Sequence, residues 1–289
     1  MLRTLLSMSM LLAVSFLFNA CGGGNSSAPV SAVTPSASSD NWKLVWADEF
    51  DGPTLDSNKW TLESGGSGWG NNELEYYTAG NNLSVANGML TIEARKENTG
   101  GRNYTSTRMI TKGKAFWTYG KVEARVRLPY GQGMWPAFWM LGENIDTAGY
   151  PGCGEIDIVE MIGGKSSGAR ANNDAIIFGS LHRPNLDPSP TTPRKTLTAS
   201  YTNTNSANFS DDFHVFGIEW NATTVRHYVD GTVYQTVDIS SHTDGFGVFH
   251  RPFFLVLNLA TGGDWPGAPD QTTLWPQHMV VDWVRVYQK

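Results

Sequence analysis

The sequence predicts an all-β protein, an antiparallel sandwich of many strands that runs as one domain from about residue 41 to residue 289. Three observations predict it. Polar and apolar residues alternate with a period of two in segment after segment. Those segments are rich in β-branched and aromatic residues and are bounded by Gly, Asn and Pro. No helical period is sustained beyond the first stretch of the chain, and no internal repeat of the propeller kind is evident.

Taken in order, the chain opens with an address. Arg3 precedes the apolar run "LLSMSMLLAVSFLF", the length of a signal-peptide core and short for a membrane span. Its end, "LFNAC", resembles the lipobox of bacterial lipoproteins, although Phe18 and Asn19 depart from the usual residues there. The resemblance implies a signal peptide over residues 1–20 and a lipid on Cys21; ordinary secretion with cleavage nearby is the alternative. Residues 21–40, "CGGGNSSAPVSAVTPSASSD", are poor in bulky apolar side chains and read as a flexible tether. Membrane contact is then expected only through Cys21, and Gly22 after it implies the outer membrane or cell surface of a bacterium. Cys153 is the second of the two cysteines, has no His nearby to activate it in "YPGCGE", and reads as a small packed residue.

The domain itself follows over residues 41–289. "NWKLVWADEFDG" opens it with period two, and "MLTIEARK" continues. "KVEARVRLP" sets Lys121, Glu123, Arg125 and Arg127 on one face and Val122, Ala124, Val126 and Leu128 on the other. In "MWPAFWM", Trp135 and Trp139 are four apart and share a strand face, where they can form a wall for sugar rings. "FHVFGIEW" is a further strand. "VRHYVDGTVYQTV" is a hairpin, because Asp230 and Gly231 can both take the positive φ of a two-residue turn. "PFFLVLNLA" and "MVVDWVRVYQ" complete the set.

Charge narrows the partner. The formal net charge is −6 and Lys and Arg are scattered singly, which argues against nucleic acid and against an anionic membrane surface. Eleven Trp and ten Tyr against 17% charged residues suit a neutral ligand that stacks on aromatic rings, as sugars do.

One strand breaks the pattern. "GEIDIVEMIG" places Glu155, Asp157 and Glu160 in otherwise apolar sequence. Simple alternation puts Glu155 and Asp157 on one face and Ile156 and Ile158 in the core, and it sends Glu160 to the core as well. A lone buried carboxylate costs several kcal/mol, on the order of 2–5. A β-bulge near Ile158 and Val159 restores Glu160 to the face of the other two acids. Like charges side by side are unfavourable on a merely solvated strand, so the row points to chemistry. That chemistry is glycoside hydrolysis, whose retaining form uses two carboxyl groups about 5–5.5 Å apart as nucleophile and proton donor. The bulged strand sets the Cα atoms of Glu155 and Glu160 about 13 Å apart, a gap that two inclined Glu side chains can largely close. Crowding raises at least one of the three pKa values and keeps an acid protonated. The spacing does not say which Glu takes which role.

"GEIDIVE" resembles the active-site signature of glycoside hydrolase family 16. "WGNNELEYYT", "GQGMWPAFWML", "DDFHVFGIEW", "FFLVLNLATGGDWPG" and "VVDWVRVYQ" resemble its laminarinase branch, in the same order. The resemblance implies a concanavalin-like β-jelly-roll of two antiparallel sheets with a cleft on the concave face. It implies an endo-acting hydrolase of internal β-1,3 bonds in laminarin-like glucan, with mixed-linkage β-1,3-1,4-glucan as a further substrate. It implies Glu155 as nucleophile, Asp157 as its assistant and Glu160 as general acid/base, with no cofactor for catalysis. The bulge argues against the lichenase and xyloglucan branches but is shared with agarases and carrageenases, so a galactan hydrolase remains the alternative, as does a non-catalytic surface glycan-binding protein.

The same resemblance places Asn72, Arg108, His182, Asn258 and Trp265, with Trp135 and Trp139, in segments that line the cleft. It also implies a structural Ca2+ held by backbone carbonyls of Glu49 and Gly88 and by Asp282, an all-oxygen set suited to a hard cation. Six His without a close His/Cys cluster argue against catalytic zinc. A monomer is the expected state.

Overall fold

A computed structural model of the chain describes residues 41–164, 172–204 and 207–289. The signal peptide, the tether and Cys21 lie outside the described residues. Among the described residues no helix is long and apolar enough to cross a membrane.

The strands, numbered in chain order, form two large antiparallel sheets. The first holds β1 (Lys43–Asp48), β4 (Leu83–Ala86), β5 (Met89–Ala94), β9 (Gly120–Arg127), β14 (His214–Trp220), β15 (Thr224–Val229), β16 (Thr232–Asp238) and β18 (Gln277–Gln288). Its order is β16-β15-β14-β9-β18-β5-β4, with β1 also pairing with β18. The second holds β2 (Thr61–Glu63), β7 (Arg108–Ile110), β8 (Phe116–Trp117), β10 (Met134–Gly142), β11 (Glu155–Glu160), β12 (Ile176–Pro184), β13 (Arg194–Thr202) and β17 (Phe253–Thr261). Its order is β13-β12-β11-β10-β17-β7-β2, with β8 on β17. A small parallel pair, β3 (Glu75–Tyr77) and β6 (Tyr104–Ser106), stands beside them. Among the described residues helix is confined to one turn, α1 (Ile145–Ala148), and two short 3-10 segments.

The period-two reading explains how the sheets face each other. Val122, Ala124 and Val126 of β9 are buried while the residues between them are half-exposed. They join Phe216, Ile218 and Trp220 of β14 and Val284 and Val286 of β18 in one core with Met134, Phe138 and Met140 of β10 and Leu255, Leu257 and Leu259 of β17. Each such side chain contributes about 1.5–3 kcal/mol of burial. The predicted hairpin joins β15 and β16 through Asp230 (φ 48°) and Gly231 (φ 77°), with Val229 facing Thr232. Because its core face is occupied, the second sheet has its other face free, and β11 lies near the middle of that sheet.

Candidate active site

The bulge in β11 is where the misfit of Glu160 requires it. Against β10, Leu141 faces Glu155, Trp139 faces Asp157 and Ala137 faces Glu160. The partner strand thus counts four steps where β11 counts five, and the shift falls at Ile158. Against β12 the same extra residue appears between Asp157, facing Ser180, and Glu160, facing Phe178. Ile156, Ile158 and Val159 go into the core. Glu155, Asp157 and Glu160 all line a cleft of about 860 Å³ on the outer face of the second sheet.

The neighbours of the three acids are fixed by cross-strand pairing. His182 of β12 faces Glu155, and its Nε2 lies 3.3 Å from Glu155 Oε1 and 2.9 Å from Asp157 Oδ2. The closer contact is off the line of a hydrogen bond, so Asp157 Oδ2 is left without a partner. His182 Nδ1 is held at 2.8 Å by Thr196 Oγ1 on β13. Trp135 donates its indole N–H to Glu160 Oε1 at 3.0 Å. From the opposite sheet, buried His227 contacts the backbone carbonyl of Asp157 through Nε2 at 3.1 Å and ties the bulged strand down.

Electrostatics follow from this crowding. The side chains of Glu155 and Asp157 are only 15% and 5% exposed. Burial first, then the charge of Asp157, pushes Glu155 up to about 8 and Glu160 likewise to about 8. Burial alone raises Asp157 to about 8, against the pull of Arg194. The group therefore resists carrying three charges at neutral pH and holds protons in common. Burial lowers the pKa of His182, so the imidazole is neutral near pH 7. Arg194, on edge strand β13, donates to Tyr150 Oη at 2.7 Å, and both side chains line the cleft. Its positive charge favours the ionised form of all three acids.

The predicted binding residues gather here with one exception. Trp135, Trp139, Arg108, His182, Asn258 and Trp265 line the cleft. Trp265 packs edge-on against Trp135 at 5.6 Å between ring centroids. Asn258 is 5% exposed and accepts from Trp139 Nε1 at 2.7 Å, so it holds a wall in place as much as it faces ligand. Asn72 is the exception. It sits at φ 54° and spends its amide on Asp264, whose oxygens are 3.0 and 3.1 Å away. Asn71 and Asp264 line the cleft in its stead. Sequence reasoning missed Trp69, Glu73, Tyr150 and Arg194. The first two lie within the quoted "WGNNELEYYT"; Tyr150 opens "YPGCGE", which was read only for Cys153, and Arg194 sits in no quoted segment.

Cys153 is buried, and burial pushes its thiol up to about 11, in keeping with a packed, unreactive residue. Among the described residues the one group of three side chains with metal-ligand geometry is Glu155, Asp157 and His182, the acid cluster itself. At the calcium position the carboxylates are occupied. Asp282 Oδ2 accepts from Arg125 at 2.6 Å, and Glu49 takes Arg285 at 2.8 Å through both oxygens. Gly88, at φ 70°, lies against Asp51.

A family model described as "Beta-porphyranase A-D, GH16 domain" matches residues 42–289. The beta-glucanase of Rhodothermus marinus is 40% identical over 263 residues, covering 86% of each chain. Among solved structures, the catalytic domain of an endo-1,3-beta-glucanase (laminarinase) from Thermotoga petrophila matches with TM-score 0.77 and 44% identity, over 86% of this chain and 98% of that one. The endo-beta-1,3-glucanase from Pyrococcus furiosus matches with TM-score 0.76 and 45% identity, over 86% and 94%.

Proposed function

The chain belongs to glycoside hydrolase family 16, and from that premise we propose that it is a retaining endo-β-1,3-glucanase of the laminarinase kind, acting on internal bonds of laminarin-like glucan. The observation that carries this reading is the bulged β11, which puts Glu155, Asp157 and Glu160 in one cleft walled by Trp135 and Trp139.

Each residue has a part. Glu160, kept protonated by burial, gives its proton to the glycosidic oxygen as the bond to C1 breaks. Glu155 attacks C1 from the other face and forms a glycosyl ester, inverting the centre. Asp157 shares a proton with Glu155 and takes up the change in charge when Glu155 becomes an ester. Water then attacks C1, Glu160 takes its proton, Glu155 leaves as carboxylate, and the second inversion restores the configuration. His182, neutral and pinned by Thr196, fixes the positions of Glu155 and Asp157. The indoles of Trp135 and Trp139 stack on glucose rings on either side of the scissile bond.

A second reading has one observation in its favour. The matching family model is described by β-porphyranases, so a galactan hydrolase of agarase or carrageenase type is the rival. The 44–45% identities to laminarinases favour the glucan. Reducing-sugar release decides between them: laminarin should yield gluco-oligosaccharides, with none from agar or carrageenan. Glu155→Gln and Glu160→Gln should still bind the glucan and lose most turnover. A folded parent that cleaves agar and spares laminarin overturns the glucanase reading; a parent that binds glucan and turns over nothing revives the non-catalytic binder.

Three finer points belong to the same reading. Residues 1–20 are removed and Cys21 carries lipid, which tethers residues 41–289 to a bacterial surface through residues 21–40 and keeps products near the cell. The protein acts as a monomer. A calcium at the Glu49 and Gly88 carbonyls and Asp282 would serve stability only, and it would share the Asp282 carboxylate with Arg125.

A further inference from the structure

The sugar-facing surface away from the three acids rests on one buried side chain. The guanidinium of Arg108 lies between two indoles, 4.9 Å from the Trp69 ring and 4.8 Å from the Trp139 ring, and its Nε donates to Glu63 Oε2 at 2.5 Å. All three of Trp69, Arg108 and Trp139 line the cleft. Tyr77, 0% exposed at the end of β3, reaches both indoles. Its ring meets Trp69 edge-on at 5.3 Å. Its hydroxyl meets Asn258 Nδ2 at 3.1 Å, and Asn258 Oδ1 meets Trp139 Nε1 at 2.7 Å.

Donor and acceptor rules make this chain run one way. An indole N–H can only donate, so the Asn258 atom facing Trp139 is the oxygen. The amide nitrogen then donates to the Tyr77 oxygen, and the Tyr77 proton has one remaining place to go, Glu73 Oε2 at 2.9 Å. Glu73 Oε1 accepts from Asn71 Nδ2 at 3.2 Å. Both Glu73 oxygens accept, so the chain of donors ends on that carboxyl group. Glu75 beside it is 0% exposed, with Oε2 accepting the Thr261 N–H at 2.6 Å and Oε1 without a partner. Burial first, then the adjacent Glu73, holds the Glu75 carboxyl well above the usual carboxylate range.

We propose that Tyr77, which touches no substrate, is the positioning residue of this half of the cleft: its ring sets Trp69, its hydroxyl sets Trp139 through Asn258, and together they fix the slot that Arg108 fills and the surface a glucan chain lies on. This is a binding role, since Tyr77 does not line the cleft and its contacts go to Trp69, Asn258 and Glu73. Its kinetic arm rests on the glucanase reading above; its structural arm does not.

The test uses the indole N–H signals of 15N-labelled protein, with Trp69 and Trp139 assigned from Trp69→Phe and Trp139→Phe. Tyr77→Phe keeps the ring and loses the hydroxyl, so it should move the Trp139 signal and spare that of Trp69. Tyr77→Leu should move both. On laminarin, Tyr77→Phe should raise KM about tenfold, the worth of one buried hydrogen bond, with kcat within about twofold. A folded Tyr77→Phe whose Trp139 signal stays put overturns the proposal, and so does an unchanged KM beside a shifted signal. Failure of the parent on laminarin strikes the glucanase reading alone, because the indole comparison still decides the role of Tyr77.

Discussion

Trp135 donates its indole N–H to Glu160 Oε1 at 3.0 Å, so the residue that walls the cleft also sets the acidity of the proton donor. The bond favours the carboxylate, against burial, which raises Glu160 to about 8. Trp135→Phe removes it and leaves the burial in place, so the acid form of Glu160 persists to higher pH. The alkaline limb of kcat/KM should move up by about half a unit to one unit, the equivalent of roughly one hydrogen bond. A pH–rate profile of parent and variant measures it, and an unmoved or lowered limb contradicts the assignment of Glu160 as acid.

Arg194 works on both limbs. It is the guanidinium whose charge favours ionisation of Glu155, Asp157 and Glu160 alike, and its own hydrogen bond goes to a neutral phenol, Tyr150. Arg194→Leu withdraws that charge and raises all three pKa values. The nucleophile must be ionised to attack and Glu160 protonated to donate, so both limbs of kcat/KM should shift upward by about half a unit, less in high salt because the arginine is exposed. The same profile repeated at low and high ionic strength reads it.

The three acids also cost stability. Their folded pKa values, raised to about 8, stand above the unfolded values near 4–4.5. The folded state therefore binds more protons than the unfolded state between those pH values, and stability is lost as pH rises through about 8. Glu155→Gln removes one titrating member and relieves the other two. Its Tm should exceed the parent's by a few degrees at pH 8–9, with the difference vanishing near pH 4, while activity is lost. Thermal melts across that range check it; a parent that is the more stable protein at pH 9 would refute the crowding argument.

How much of this was legible in the sequence depended on whether a side chain's neighbours are near it in the chain. The strands announced themselves because alternation in β9 is a local pattern, and the β15–β16 turn did so because Asp230 and Gly231 sit between two such strands. The bulge was legible for a sharper reason: Glu160 cannot be left in the core, so the strand must slip by one residue between Asp157 and Glu160. Arg194 and Tyr150 gave no such signal. Arg194 is on an edge strand, and only the sheet order brings it to Glu155; Tyr150 is in the loop that leads into β11, where no alternation says which way it faces. Membership of a motif does not say which of two adjacent asparagines lines the cleft; the left-handed backbone of Asn72 turns its amide to Asp264, which does line it. The Tyr77 chain was equally hidden, since it links β3, β10 and β17 through side chains that any buried aromatic run would allow.

His227 gives the acid side of the stability curve. It is fully buried between the sheets, meets the Asp157 carbonyl through Nε2, and burial lowers its pKa to about 4. An unfolded histidine titrates near 6.5, so between about pH 6.5 and 4 the unfolded state binds the extra proton and stability falls as pH falls. The span amounts to about 3 kcal/mol at most for this one group. Only the neutral ring fits, with its N–H on Nε2 and the unpartnered Nδ1 as acceptor. His227→Gln keeps a donor within reach of the Asp157 carbonyl and cannot titrate. It should be less stable than the parent at pH 7 by about 1–2 kcal/mol, for imperfect packing, and lose less on acidification, so that the two denaturation midpoints converge between pH 6.5 and 4. Urea unfolding at intervals across that range reads the difference, in which the shared carboxylates cancel. Parallel curves would mean that His227 is protonated in the folded protein, and the tie it makes to the bulged strand would then have to be a charged one.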